Sequence, residues 1–442
     1  GDTLGFNGKV FSQASVEKLE EEFVGKDIKF IDEIDLVGDI WESRPELPRS
    51  TTFSLDVKYV GKSTNEKIEE VRNDMKVHDA DYFLLSSLDD IAYLYNIRGN
   101  DVANNPVVIS YALITLEAAY IFVDKEKINS EVEVFLNENG VEVRSYEEIM
   151  DFIREMKVDS SLIMEKDKIN RWLYNAIPDG IKVINQMNIT TKLKGIKNSV
   201  EIENQKKAYL KDCVALTKFF NWIDKNINNI EISELSAQEK LLEFRKEQEN
   251  FLEPSFDTIS AYKENAAMMH YSASETSNAV FKAEGLYLVD SGGQYFEGTT
   301  DITRTVALGP ITSEEKKDFT LTLKGHINLI SARFLASTSG HVLDILSRYP
   351  LWQEGIDYKC GTGHGVGYLL NVHEGPHRIS VAPNDIAMEK GMIVTIEPGV
   401  YKEGSHGIRI ENVVVVDEDI KTDSGQFMKF EVLSYCPIDL DC

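Results

Sequence analysis

Residues Leu288–Leu308 read LVDSGGQYFEGTTDITRTVAL. The flanks are apolar and β-branched, and a Ser-Gly-Gly group follows the first run, so the pattern predicts two strands joined as a hairpin. Asp290 stands where the first run ends and Asp301 inside the second. Aspartate is a poor strand former. A buried carboxylate costs free energy unless it is paired or binds a metal. Two aspartates in one hairpin therefore call for partners elsewhere in the chain.

Such partners stand downstream. GTGHGVGYLLNVHEGP (361–376) carries His364 and His373, MIVTIEPGVY (392–401) carries Glu397, and GIRIENVVVV (407–416) carries Glu411. Each carboxylate lies in or beside an apolar, strand-like run. One alone reads as a turn residue or a strand-edge charge. Four of them with a glycine-flanked histidine read together as a set for two divalent cations, because four carboxylates balance two M²⁺. Two such ions about 3.5–4 Å apart hold a hydroxide between them and lower its pKa towards neutrality. Oxygen donors with a single histidine favour Mn²⁺, with Zn²⁺ and Co²⁺ as alternatives. In a strand, residues i and i+2 share a face. Arg409 thus projects with Glu411, and Asp301 aligns with Thr303 and Thr305. Arg409 reads either as a group supporting this site or its substrate, or as a surface strand arginine.

Composition narrows the class. The chain has 442 residues, enough for two or three units, and at 42% hydrophobic it can bury a sizeable core. Its 74 acidic and 47 basic residues give a net charge of −27. That argues against nucleic acid or an anionic membrane as partner, since both require a basic face. Cys213, Cys360, Cys436 and Cys442 form no CxxC pair. Few cysteines in a long chain point to a reducing compartment, here the cytoplasm. No apolar run reaches the length of a membrane-spanning helix.

Three regions are expected. Residues 1–48 end in the linker-like stretch WESRPELPRS. Residues 49–195 alternate helix and strand. EKIEEVRNDM (66–75) reads as a helix, and YALITLEAAYIFVD (111–124) as two strands around a Thr-Leu-Glu turn. From 196 onward Ile202, Tyr209, Cys213, Leu216, Phe220, Ile223 and Ile227 recur in steps of three, four and seven, one face of a long helix. A second helix is expected over 236–251. Strands dominate after 283, with helices near 313–335 and 341–353. The fold class is α/β (α+β).

These motifs resemble the pita-bread metallopeptidases, and within them the large multi-domain aminopeptidase P type. The resemblance extends upstream through LDDIAYLYNIRGND (88–101), NPVVISYALIT (105–115) and CVALTKFFNWI (213–223), and covers nearly the whole chain. It implies a C-terminal pita-bread catalytic domain at 196–442, preceded by an α/β creatinase N-terminal-like domain at 49–195. Residues 1–48 resemble only the end of the family's first domain, and the chain stops soon after MKFEVLSYCPI (428–438), where the large form carries a further helical tail.

By that resemblance, Asp290 is the bidentate ligand of one metal. Asp301 and Glu411 are ligands shared by both metals, and His364 and Glu397 bind the other. Glu397 also assists proton transfer. His270, in AAMMHYSA (266–273), contacts substrate, and His373 orients the scissile carbonyl or stabilises the developing oxyanion. Tyr401 and Arg409 support the metals and substrate. The implied reaction removes an N-terminal residue that precedes proline, through a hydroxide bridging two divalent metals, in a homodimer that binds peptides with penultimate proline. The alternatives within the fold are a prolidase restricted to Xaa-Pro dipeptides, a creatinase-like metal-free hydrolase, and a non-catalytic protein-interaction module. Two departures stand out. Cys360 takes the first position of a run that reads His-Gly-Thr-Gly-His in the family, which implies altered substrate handling, sensitivity to thiol oxidation, or a tolerated packing change. AYKENAAMM (261–269) replaces the usual glycine-rich loop before His270.

Overall fold

The computed structural model describes residues 1–442, and the chain falls into two compact units, Gly1–Lys194 and Gly195–Cys442. No helix is long and apolar enough to cross a membrane.

The first unit is built on a six-stranded mixed sheet, ordered Lys182–Asn185, Ser161–Met164, Tyr82–Leu85, Ser110–Thr115, Ala119–Val123 and Val141–Ser145. Strand periodicity divides its side chains between two cores. Phe83, Leu85, Ala112, Ile114, Ile121 and Val123 face one layer, which includes Ile68, Val71 and Met75 of the helix Thr64–Val77. Leu84, Leu113, Phe122, Leu162 and Met164 face the other, against Ile149 and Ile153. The two-strand reading of 111–124 is present, with Ser110–Thr115 antiparallel to Ala119–Val123. Residues 1–48 lie within this unit, where Arg171 binds Asp32 and Glu20.

The second unit opens with the helix Ser199–Asn226, which starts in a capping box formed by Asn198 and Glu201. Its expected stripe is the buried one: Tyr209, Cys213, Leu216 and Ile223 are in the core, joined by Phe219, while Phe220 is only partly covered. The second helix runs over Glu234–Lys246, and the chain is already a strand at Phe251–Pro254. The helix expected over 313–335 stops at Ile330, because Arg333–Leu335 pairs as an edge strand with Phe427–Lys429.

Three pieces of β structure carry the site. One is the antiparallel trio Ile259–Tyr262, Leu286–Ser291 and Ile302–Ala307. The second is a six-stranded sheet in which Gly363–Gly365 lies between Glu374–Ile379 and Ile393–Ile396, with Asn412–Thr422 beyond. The third is the hairpin Gly399–Lys402 with His406–Arg409.

The opening stretch departs from a simple hairpin. Leu286–Ser291 pairs with Ile302–Ala307, so Asp290 lies opposite Thr303. Ser291 is strand, not turn, and Asp301 immediately precedes its strand instead of lying inside it. At Gly292 the chain passes from one sheet to another and forms a second ribbon, Gly293–Tyr295 with Gly298–Thr299, whose turn falls at Phe296 and Glu297. A Cβ at Gly292 would lie 1.9 Å from the Thr300 carbonyl oxygen, so the crossing demands glycine.

Candidate metal centre and active site

Asp290 lies within its strand, whereas Asp301, Glu397 and Glu411 stand at strand ends, and antiparallel pairing brings these distant strands together. Asp301, His364 and Glu411 converge so that one ligand atom from each lies within 4.8 Å of the others. His364 Nε2 is 3.4 Å from Asp301 Oδ2 and 3.5 Å from Glu397 Oε1. Its Nδ1 is 2.9 Å from the Gly365 carbonyl oxygen. A carbonyl can only accept, so Nδ1 donates to it and Nε2 is the nitrogen turned towards the carboxylates, the orientation found in metal-ligating histidines. Gly363 makes this approach possible, since a Cβ there would meet the Thr395 carbonyl oxygen at 1.9 Å.

The remaining expected residues line the same space. Asp290, Asp301, His364, Glu397, His270, His373, Tyr401 and Arg409 all border one cavity of about 370 Å³. Glu411 sits behind it, 1% exposed. His270 is exposed at its edge. The His373 ring packs against His364 at a centroid distance of 4.2 Å. Loss of water on that face, and then the neighbouring imidazole, push the His373 pKa down to about 4.

Arg409 links these groups. Its Nη2 donates to Asp290 Oδ2 at 2.6 Å, its Nη1 to the Tyr401 hydroxyl at 2.8 Å and its Nε to Thr303 Oγ1 at 3.3 Å. The Thr303 hydroxyl donates to Glu411 Oε2 at 2.8 Å. Arg409 and Glu411 therefore do project together, both onto Thr303. Burial pulls the guanidinium pKa down, but Tyr401, Asp290 and Glu397 outweigh it and hold the group firmly cationic.

The carboxylates are short of partners. Asp290 Oδ1 and Glu411 Oε1 are buried with no hydrogen-bond partner. Buried polar atoms are nearly always paired. Burial first, and neighbouring carboxylates second, hold the Asp301 and Glu411 carboxyls well above the usual carboxylate range. Four acids crowd one buried wall, with Arg409 bound to only one of them. Orphaned oxygens, an imidazole nitrogen turned towards them and surplus negative charge make a donor set that fits divalent cations.

Some contributors escaped the sequence reading. The Thr395 hydroxyl donates to Glu397 Oε1 at 3.1 Å and accepts from the His364 amide at 3.0 Å. Its spacing of two from Glu397 was the available signal. Arg304 is 1% exposed and has no carboxylate partner; its guanidinium bonds the Glu411 carbonyl and the Asn412 side-chain oxygen. Cys360 lines the cavity, but burial first and Glu397 second raise its thiol pKa. That keeps it a neutral thiol, which weighs against the oxidation-sensitive reading.

Residues 43–201 match the creatinase/prolidase N-terminal domain, and residues 203–418 match metallopeptidase family M24. A probable Xaa-Pro aminopeptidase P of Sordaria macrospora is 38% identical over 458 residues, spanning 99% of this chain and 74% of that protein. The crystal structure of X-prolyl aminopeptidase from Caenorhabditis elegans, described as a cytosolic enzyme with a di-nuclear active site, matches with a TM-score of 0.94. It is 31% identical, with 100% of this chain and 73% of that one covered. Xaa-Pro dipeptidase from Bacillus anthracis matches with a TM-score of 0.68 and 26% identity, covering 86% of this chain and 100% of that one. The chain belongs to metallopeptidase family M24, alongside relatives named Xaa-Pro aminopeptidase P.

Proposed function

We propose that this chain is a metal-dependent aminopeptidase that hydrolyses the bond between an N-terminal residue and a penultimate proline. The carrying observation is that Asp290, Asp301, His364 and Glu397 line one cavity, that Glu411 converges with Asp301 and His364, and that buried oxygens of Asp290 and Glu411 have no partner in the protein. These five residues would hold two divalent ions, for which the oxygen-rich donor set favours Mn²⁺. When bound, the ions supply a nucleophile available at neutral pH and polarise the scissile carbonyl.

The chain's own residues do the rest. Glu397, whose carboxyl pKa is raised chiefly by burial, takes up a proton as the nucleophile attacks and returns it to the departing proline nitrogen. His373, held neutral at physiological pH, donates a hydrogen bond to the carbonyl oxygen as charge develops there. His270 contacts the substrate from the cavity edge. Arg409 fixes Asp290 and the Tyr401 hydroxyl relative to each other. An Xaa-Pro bond has no N–H, so a site that acts on the carbonyl and the nitrogen, without needing an amide donor, suits it.

Cleavage of an Xaa-Pro-Yaa peptide with and without Mn²⁺, beside an Asp301→Ala variant, tests this. Metal-dependent cleavage that the variant lacks is expected; no metal-dependent cleavage by the full chain overturns it. A dipeptide-only prolidase predicts turnover of Xaa-Pro but not of the longer peptide. Relatives named probable Xaa-Pro aminopeptidase P, 38% identical over 99% of this chain, support the first reading. Retention of the whole donor set argues against a non-catalytic module. Four free cysteines support a cytoplasmic location.

A homodimer is part of the same reading. Val342, Ile345, Tyr349 and Trp352 are exposed along the helix Gly340–Trp352. Their spacing of three, four and three makes one apolar stripe, suited to packing against a second copy of itself.

A further inference from the structure

His270 reaches the cavity edge from the connection 263–285, which joins the strands Ile259–Tyr262 and Leu286–Ser291. That connection holds one short 3-10 helix, Lys263–Ala267, and most of its residues after Tyr271 are exposed. Near His270 the packing is slight: Ala266 and Tyr271, with Ala273 partly covered, join a small cluster with Ile259, Ala261 and Leu288. A segment with so few buried contacts needs something else to fix its course. Glu234 supplies it. This residue opens the helix Glu234–Lys246, is 0% exposed and does not border the cavity. Its Oε1 accepts from the Tyr262 amide at 2.7 Å and from Asn265 Nδ2 at 2.9 Å. Its Oε2 accepts from the Tyr271 hydroxyl at 2.7 Å and from the Ala279 amide at 2.8 Å. Its own amide donates to the Ala279 carbonyl oxygen at 3.0 Å. The helix N-terminus, where the macrodipole is positive, stabilises the negative charge that these donors surround.

We propose that Glu234 is a positioning residue that sets His270 against the substrate. The inference rests on the substrate contact assigned to His270 in the aminopeptidase reading above. One carboxylate holds the chain on both sides of that imidazole, through Asn265 shortly before it and Tyr271 directly after. The Tyr262 and Ala279 amides tie the start and the far side of the same excursion to the same group. Asn265 Nδ2 also donates to the Tyr271 hydroxyl oxygen at 3.1 Å, so the two flanks are joined to each other. The arrangement requires an acceptor with two oxygens. Each oxygen faces one backbone N–H, which can only donate and cannot rotate away. Glutamine has the same shape, but its amide nitrogen meets one of those N–H groups in either orientation.

The test is cleavage of an Xaa-Pro-Yaa peptide by the Mn²⁺-loaded full chain and by its Glu234→Gln, His270→Ala and double variants. Glu234→Gln is expected to lose about tenfold to hundredfold in kcat/KM, the range spanned by a charged hydrogen-bond acceptor. The double variant is expected to match His270→Ala within about twofold, because Glu234 acts through that imidazole. A carboxylate that serves the fold alone would multiply its loss with that of His270→Ala. Tyr271→Phe deletes one donor beside His270 and is expected to lose less, with the same non-additivity. If Glu234→Gln does not fold, the Tyr271→Phe cycle decides. Losses that multiply, a Glu234→Gln kcat/KM within about twofold of wild type, or a His270→Ala variant as active as wild type overturn the proposal. If the wild type cuts no Xaa-Pro bond, the reaction assigned above fails, and amide hydrogen exchange decides the role of Glu234. Residues 263–280 should then exchange faster in Glu234→Gln than in wild type while the metal-binding strands do not, and equal exchange overturns the clamp.

Discussion

Arg409 Nη2 lies 2.6 Å from Asp290 Oδ2, while the other oxygen of that carboxylate has no partner in the protein. The guanidinium thus pins one oxygen and leaves the second directed at the cavity. The Tyr401 hydroxyl accepts from its Nη1 and Thr303 Oγ1 from its Nε.

Arg409→Lys should lose about 10- to 100-fold in kcat, the usual cost of removing a group that orients a ligand. A lysine keeps the charge but cannot bridge Asp290, Tyr401 and Thr303 together. Steady-state kinetics beside a thermal melt checks this. A kcat within twofold of wild type would show that the fork does not organise the site.

Metal removal should make stability depend on pH in a defined direction. The Asp301 and Glu411 carboxyls are held well above their unfolded values. In the metal-free protein the folded state therefore keeps protons that the unfolded chain releases. Their contribution is complete below the unfolded carboxyl pKa of about 4 and is lost as pH rises through the raised folded values. Glu411→Gln removes one such group. After metal stripping, it should melt above the wild type at pH 8 and closer to it at pH 4. Added Mn²⁺ should stabilise the wild type more than the variant, because it binds the folded form through ionised ligands. Equal pH slopes for stripped wild type and variant would refute the assignment of Glu411.

Trp352→Glu should convert the expected dimer to monomer in light-scattering chromatography. It sets a charge in the exposed stripe with Val342, Ile345 and Tyr349. A wild type that is monomeric at micromolar concentration, or a variant that stays dimeric, removes this helix from the interface.

Asp212→Ala should cost about 3–5 kcal/mol in urea unfolding. Asp212 and Arg245 are fully buried and paired through two hydrogen bonds of 2.7 and 3.0 Å, with the Tyr295 hydroxyl also on Asp212. Removing the acid strands the guanidinium. The double change Asp212→Leu with Arg245→Met should cost less than the single one, since no buried charge remains. If the double variant is the less stable, hydrogen bonds to Ser291 and Tyr295, not charge, dominate that site.

The amino-acid order by itself determined the elements and the chemistry on offer. Apolar, β-branched runs marked strands within 111–124 and at the flanks of 288–308, helical periodicity marked a long helix from 196 onward, and the misplaced acids marked Asp290, Asp301, Glu397 and Glu411 as a set. These are local signals, because a residue's face is decided by its neighbours two to four positions away. Tertiary structure decided what local pattern cannot carry. Gly292 turned out to be a crossing between sheets, because the Thr300 carbonyl stands where a side chain would be. Thr303 became the bridge between Arg409 and Glu411 across more than a hundred residues. Glu234 came to hold both flanks of His270 only in the fold, since nothing in one helix's sequence specifies which distant donors its first turn meets.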